Sequence, residues 1–134
     1  MEAVPAHRPP ERRFFSLFLR YWLPVMAYVT VILWLSSQPY LQPPLHFRNS
    51  DKVAHILEYS VLGFLLARAW RSTMRIRFAL GAAMIALAMG IAIGAGDEFY
   101  QSFVPGRDSS VFDLLADSIG LALAQIAYLL IARD

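Results

Sequence analysis

Residues 96–113 read Gly-Asp-Glu-Phe-Tyr-Gln-Ser-Phe-Val-Pro-Gly-Arg-Asp-Ser-Ser-Val-Phe-Asp, a polar stretch between two long apolar runs. It holds four acids (Asp97, Glu98, Asp108 and Asp113), Arg107, Gln101 and the tight turn expected of Pro105-Gly106. The run before it (Ile76 to Gly96) and the run after it (Val111 to Ala132) each match the ~20 residues that a helix needs to cross a bilayer. Reading both as membrane spans decides the fold. It also puts the polar stretch at the edge of the membrane, where ionisable groups are costly and need partners or a purpose.

Composition agrees with that reading. Of 134 residues, 57% are hydrophobic and 16% charged, too greasy for an ordinary soluble domain. The net charge of +2 is mild, and no basic stripe interleaves with aromatics, so nucleic-acid binding is set aside. The absence of cysteine excludes disulfides, thiolate metal sites and a cysteine nucleophile.

Two more spans precede these. Residues 1–13, with Pro5, Pro9 and Pro10 and three arginines, read as a short cytoplasmic tail, and residues 14–134 as one transmembrane domain. The first span runs from Phe14 to Leu35, with Tyr21, Trp22 and Trp34 near its ends as interfacial aromatics and Pro24 as a local kink. A cleaved signal peptide is the competing reading, but the run is long and Leu35-Ser36-Ser37-Gln38-Pro39 is no small-residue cleavage site. The second span, Asp51 to Trp70, carries His55 and Glu58 inside it, and Ser50 is placed to cap it. Spans three and four carry small residues four apart: Ala82, Ala86, Gly90 and Gly94, then Ala116, Gly120 and Ala124, a spacing that lets helices approach closely.

The expected architecture is therefore all-α, an integral bundle of four transmembrane helices. With the N-terminus inside, the cytoplasmic face holds Arg8, Arg12, Arg13, Arg20, Arg68, Arg71, Arg75, Arg77 and Arg133, nine of twelve basic residues. By the positive-inside rule the topology is N-in/C-in. Seven of the ten acids (Asp51, Glu58, Asp97, Glu98, Asp108, Asp113 and Asp117) then fall on the outer side.

Helical spacing groups these residues. Asp51, His55, Glu58 and Leu62 follow one face of the second span; Asp97 and Glu98 are four and three residues from Gln101; Asp113, Asp117 and Gly120 share a face of the fourth span. Ser110-x-x-Asp113 is also a capping-box pattern, so Asp113 has a local alternative, and Asp108 reads as a solvated loop charge. The groups either form one outward-facing pocket of Lys52, His55, Glu58, Asp97, Glu98, Gln101, Arg107, Asp113 and Asp117, or serve as interhelical polar glue and solvated charges. Oxygen ligands from Glu58, Asp97, Glu98, Asp113 and Asp117 are suited to a hard divalent cation, with His55 as an acid/base group. No zinc-protease H-E-x-x-H, nucleophile elbow or P-loop accompanies them.

Two sets of motifs resemble VanZ-like membrane proteins. The first is Ser36-Ser37-Gln38-Pro39, Asp51-Lys52-Val53-Ala54-His55, Glu58-Tyr59 and Leu62-Gly63. The second is Asp97-Glu98-x-x-Gln101-x-Phe103-Val104-Pro105-Gly106-Arg107, then Asp113-x-x-Ala116-Asp117-x-x-Gly120. The resemblance covers roughly residues 25 to 131. Asp117, where that pattern more often has asparagine, and Glu58, where it often has an aromatic or uncharged residue, add charge. The resemblance implies a multi-pass inner-membrane protein of the bacterial envelope, in a family associated with resistance to the glycopeptide teicoplanin. It carries Lys52, His55, Glu98, Gln101, Arg107 and Asp113 as motif positions without assigning them roles.

Three functions follow as expectations. The first is an outer pocket that binds a lipid, a cell-wall precursor headgroup or a glycopeptide-type antibiotic. The second is a membrane enzyme acting on a lipid-linked, phosphate-bearing substrate, with His55 and Glu98 moving protons and Asp113 as a ligand or orienting base. The third is a proton- or ion-coupled carrier, which four spans without an internal repeat would build only as an oligomer.

Overall fold

A backbone inside lipid must satisfy its own hydrogen bonds, so long apolar runs become helices. The computed structural model describes residues 10–40, 48–73 and 78–132, and every regular element among them is helical. In chain order these are α1 (Pro10–Leu17), a π-helical turn (Phe18–Trp22), α2 (Leu23–Ser36), α3 (Ser50–Thr73), α4 (Ala79–Gln101) and α5 (Val111–Ile131). Four segments are long and apolar enough to cross a membrane: Phe14–Ser36, Ser50–Thr73, Ala79–Gln101 and Val111–Ile131. This is the all-α bundle of four spans that the sequence predicts. Most of the proposed N-terminal tail, and the sequence positions Arg75, Arg77 and Arg133 used in the charge count, lie outside the described residues.

Helix boundaries differ from the sequence reading in instructive ways. Helix begins at Pro10, ahead of the expected first span, since proline suits a first helical turn. Pro24 does not break the first span. The turn before it is widened, and the Leu23 N–H reaches back to the Phe18 carbonyl in π register. That widening makes room around a ring that would otherwise crowd the preceding turn. The third span starts later than expected, at Ala79, and continues past Gly96 to Gln101, which brings Asp97, Glu98 and Gln101 into the helix itself.

Packing follows the small residues. Ala82, Ala86, Gly90 and Gly94 of α4 and Ala116, Gly120 and Ala124 of α5 are all buried. The closest approach is at Gly120, where a Cβ would fall 2.3 Å from the Ile56 carbonyl oxygen. Ser60 bridges the same crossing, its single hydroxyl proton shared between the Ile56 carbonyl at 2.7 Å and the Gly120 carbonyl at 3.0 Å. Further along, Gln125 donates to the Gly63 carbonyl at 3.1 Å. Contacts thus advance together along both chains, so α3 and α5 run parallel. Helix α4 runs antiparallel between them, with Gly90 against Leu121 and Gly94 against Asp117 and Tyr59. Tyr59, Leu62, Leu66 and Leu121 are fully buried, whereas Leu57, Met84, Leu115 and Leu130 point outward, an apolar exterior suited to lipid.

The two ends of the bundle are chemically unlike. At one, Trp22 donates to Thr73 at 2.7 Å and meets Trp70 edge-on, while the Arg68 guanidinium sits 5.0 Å from the Tyr21 ring centre. At the other, α3 and α5 begin and α2 and α4 end. Here the acids collect, and here the partial positive charge of two helix N-termini favours the first-turn carboxylates Asp51 and Asp113.

Candidate functional site

The parallel register of α3 and α5 brings their first turns together. Lys52 Nζ pairs with Asp51 at 2.8 Å and makes a very short contact with Asp113 across the helix gap. One turn deeper, His55 Nδ1 lies 2.8 Å from Asp117 Oδ1. The Asp117 side chain is wholly buried, while that of His55 keeps 17% of its surface exposed.

Helix α4 supplies two carboxylates with different employment. Asp97 accepts from Ser36 Oγ and from Gln101 Nε2, each at 2.8 Å, and Gln101 Nε2 also reaches Ser36 Oγ at 3.1 Å. This network ties the C-terminal turn of α2 to α4. Glu98 faces the other way: its Oε2 accepts from the Ser110 backbone N–H at 3.0 Å. Both acids are buried, so neither is a solvated charge.

The capping-box alternative for Asp113 resolves the same way. Ser110 Oγ accepts from the Phe112 N–H, as a cap should, but the Ser110 N–H is held by Glu98 and not by Asp113. Asp113 is thereby left to Lys52. Asp108 is exposed, as expected of a loop charge. Glu58 is half-buried, within Coulombic range of His55, Asp97, Asp117 and Arg107. Arg107 is half-buried after the turn in which Gly106 adopts φ +77° against the Tyr40 ring.

The nine residues singled out from sequence therefore gather at one end of the bundle. His55, Glu98 and Asp117 are tightest, offering one ligand atom each within 4.8 Å of the others. Several of the polar atoms here have no hydrogen-bond partner among the described residues although they are buried: Asp97 Oδ1, Glu98 Oε1, Asp117 Oδ2, Arg107 Nε and the Tyr59 hydroxyl. Each such orphan costs ~1–3 kcal/mol, a cost that a bound ligand, ion or water removes.

Sequence reasoning missed Ser36 and Tyr59 as members of this end. Ser36, one residue past the expected end of the first span at Leu35, is the last residue of α2. Tyr59 follows His55 by one turn, and its hydroxyl stands within Coulombic range of Asp97, Asp117, Glu58 and Glu98. The i, i+4 relation to His55 was the available signal, masked by the ease with which a tyrosine reads as core.

Comparison with known proteins gives a consistent setting. A family model described as VanZ/LLP1 matches residues 7–132. An uncharacterized protein of Schizosaccharomyces pombe is 29% identical over 106 residues, covering 79% of this chain and 63% of that protein. The chain thus spans less than two thirds of the length of the curated relative it matches. No solved structure matches.

Proposed function

The chain belongs to the VanZ/LLP1 family, and from that premise we propose that it is a multi-pass membrane protein whose acid-rich end binds the polar headgroup of a lipid or lipid-linked precursor. The observation that carries this reading is the set of buried, unpartnered polar atoms on Asp97, Glu98, Asp117, Arg107 and Tyr59 at a single end of the bundle. Purely structural glue would use up its hydrogen bonds internally, as Ser60 does midway along α3, whereas five of the seven buried side-chain polar atoms without a partner among the described residues lie at this end. Arg107 and Lys52 supply positive charge for a phosphate, and the carboxylates are suited to amines and sugar hydroxyls.

A relative in a fission yeast favours a phospholipid-type headgroup over a ligand restricted to the bacterial wall, such as a peptidoglycan precursor or a glycopeptide. In a bacterial cell the reading places the protein in the inner membrane, N-in/C-in. The acid-rich end then faces outward, opposite Arg20, Arg68 and Arg71.

The hydrogen-bonded pair of His55 and Asp117 favours a second reading, a membrane enzyme in which Asp117 orients His55 for proton transfer on a lipid-linked substrate. Asp113, the orienting base expected from sequence, is engaged by Lys52 instead.

The experiment compares membrane accumulation with function for His55→Ala, Glu98→Gln and Asp113→Asn in a host whose envelope phenotype depends on the protein. A headgroup site predicts normal accumulation with lost function. Parallel loss of both points to helix packing alone, and normal behaviour of all three removes the site. Conversion of a bound lipid by the wild type, lost in His55→Ala, would select the enzyme.

A further inference from the structure

The acid-rich end contains one cluster whose three side chains also converge on a single point. His55, Glu98 and Asp117 come from three different helices, and one ligand atom of each lies within 4.8 Å of the other two. We propose that these residues bind a first-row divalent transition-metal ion, zinc or manganese.

Asp113 is held by Lys52. Asp97, whose Oδ2 is taken by Ser36 and Gln101, keeps Oδ1 unpartnered but is not part of the cluster. Glu98 and Asp117 face His55. Glu98 is 6% exposed and Asp117 0%, yet Glu98 Oε1 and Asp117 Oδ2 have no partner among the described residues. The second oxygen of each is anchored, Glu98 Oε2 by the Ser110 N–H at 3.0 Å and Asp117 Oδ1 by His55 Nδ1 at 2.8 Å. A carboxylate with one oxygen fixed and the other free is a pre-oriented ligand. The ion would take the place of the proton between His55 Nδ1 and Asp117, with Nδ1 as the imidazole ligand on the side of the ring that faces both carboxylates.

The donor set selects the metal class. An imidazole with two carboxylates suits zinc or manganese better than calcium, which prefers six or more oxygens. Ligand atoms around one such ion stand ~3–3.5 Å apart at metal–ligand distances of ~2.0–2.2 Å, so the cluster closes onto an ion by side-chain movements of about an ångström. A dication also balances the two carboxylates, which face no lysine or arginine at hydrogen-bonding distance among the described residues. Of the three ligands His55 is the most exposed, its side chain keeping 17% of its surface.

The inference builds on the headgroup reading in one respect. An acid-rich cluster repels phosphate, and a bound dication would reverse that by offering open coordination positions to a headgroup oxygen. The two are nevertheless separable.

The test is calorimetric titration of Zn²⁺ and Mn²⁺ into the full chain, purified in detergent and stripped with chelator, with bound lipid measured on the same samples by mass spectrometry. Saturable binding of one ion per chain is expected. Asp117→Asn and Glu98→Gln should each weaken it by more than ~10-fold, the low end of what even outer-shell changes cost. Asp108→Asn, in the exposed loop, should bind as the wild type does. Should a ligand variant fail to fold, X-ray absorption of the zinc-loaded wild type decides, with one imidazole nitrogen and carboxylate oxygens expected. No saturable binding to the wild type, undiminished binding in a folded Asp117→Asn, or a spectrum without imidazole overturns the inference. Lipid retained by a protein that binds neither ion overturns it too and leaves the headgroup reading standing. An ion bound where no lipid is retained upholds it and removes the headgroup reading.

Discussion

His55 faces Asp117 at 2.8 Å because Gly120, one turn further along α5, lets that helix close onto the backbone of Ile56 in α3. The polar pair and the glycine contact belong to one register, in which Lys52 meets Asp113, His55 meets Asp117 and Ser60 meets Gly120. Small residues in the apolar middle of the bundle therefore set the geometry of the charged end. In lipid, where no hydrophobic force draws helices together, such close packing and interhelical hydrogen bonding provide much of the association.

Gly120→Ala tests that dependence. The added methyl would fall 2.3 Å from the Ile56 carbonyl oxygen, and backbone cannot rotate away as a side chain can. Overpacking of this kind costs ~1–3 kcal/mol. Thermal unfolding in detergent should show the loss, and any ligand retained by the charged end should be lost with it. Unchanged stability would mean that the helices are further apart than described.

Lys52→Met leaves Asp113 buried without its cation. Removing one partner of a buried ion pair costs ~3–5 kcal/mol, and the lower end applies because the Lys52 side chain keeps 28% exposure. Membrane accumulation should fall. The double variant Lys52→Met/Asp113→Leu should recover it, since no buried uncompensated charge remains and Asp51, the other partner of Lys52, is 45% exposed to solvent. Failure of the double variant to recover would assign Lys52 a structural role beyond this pair.

Ser36→Ala removes one of two donors to Asp97 and the hydrogen bond that Gln101 makes to the same hydroxyl. Of α2, only Val25, Ile32 and Ser36 are buried, so this network is a large part of what docks the first span. A hydrogen bond to a charged group contributes ~1.5–3 kcal/mol. Amide exchange at the C-terminal end of α2 should quicken while that in α3 and α5 stays slow. Uniform protection would show that apolar contacts alone hold the first span.

Orientation has its own test. A phosphatase reporter, active only outside the cytoplasm, should be silent when fused at Arg75 and active when inserted at Asp108. The opposite pattern would contradict the N-in/C-in assignment and turn the acid-rich end toward the cytoplasm.

The spans were legible from sequence because length and apolar composition alone define them, and the small-residue faces of the third and fourth spans were legible from their spacing. Lys52, His55, Asp113 and Asp117 could be placed on helix faces, but their pairing could not be read, because it depends on the parallel register fixed at Gly120. Hydropathy alone ends the third span at Gly96; the helical spacing of Asp97 and Glu98 to Gln101 is the only local sign that α4 continues to Gln101. Only the neighbours Ser36, Gln101 and Ser110 make those carboxylates acceptable inside a helix bundle. Glu98 capping Ser110 in place of Asp113 is a tertiary contact that no local pattern encodes.

Native mass spectrometry of the detergent-released protein measures the central claim most directly. Wild-type protein should retain one lipid or lipid-linked molecule with a phosphate-bearing headgroup, and folded Asp117→Asn and Glu98→Gln should each lose it while the monomer signal stays intact. Retention of the same molecule by both variants, or no retained molecule on the wild type, would contradict a headgroup site at the acid-rich end.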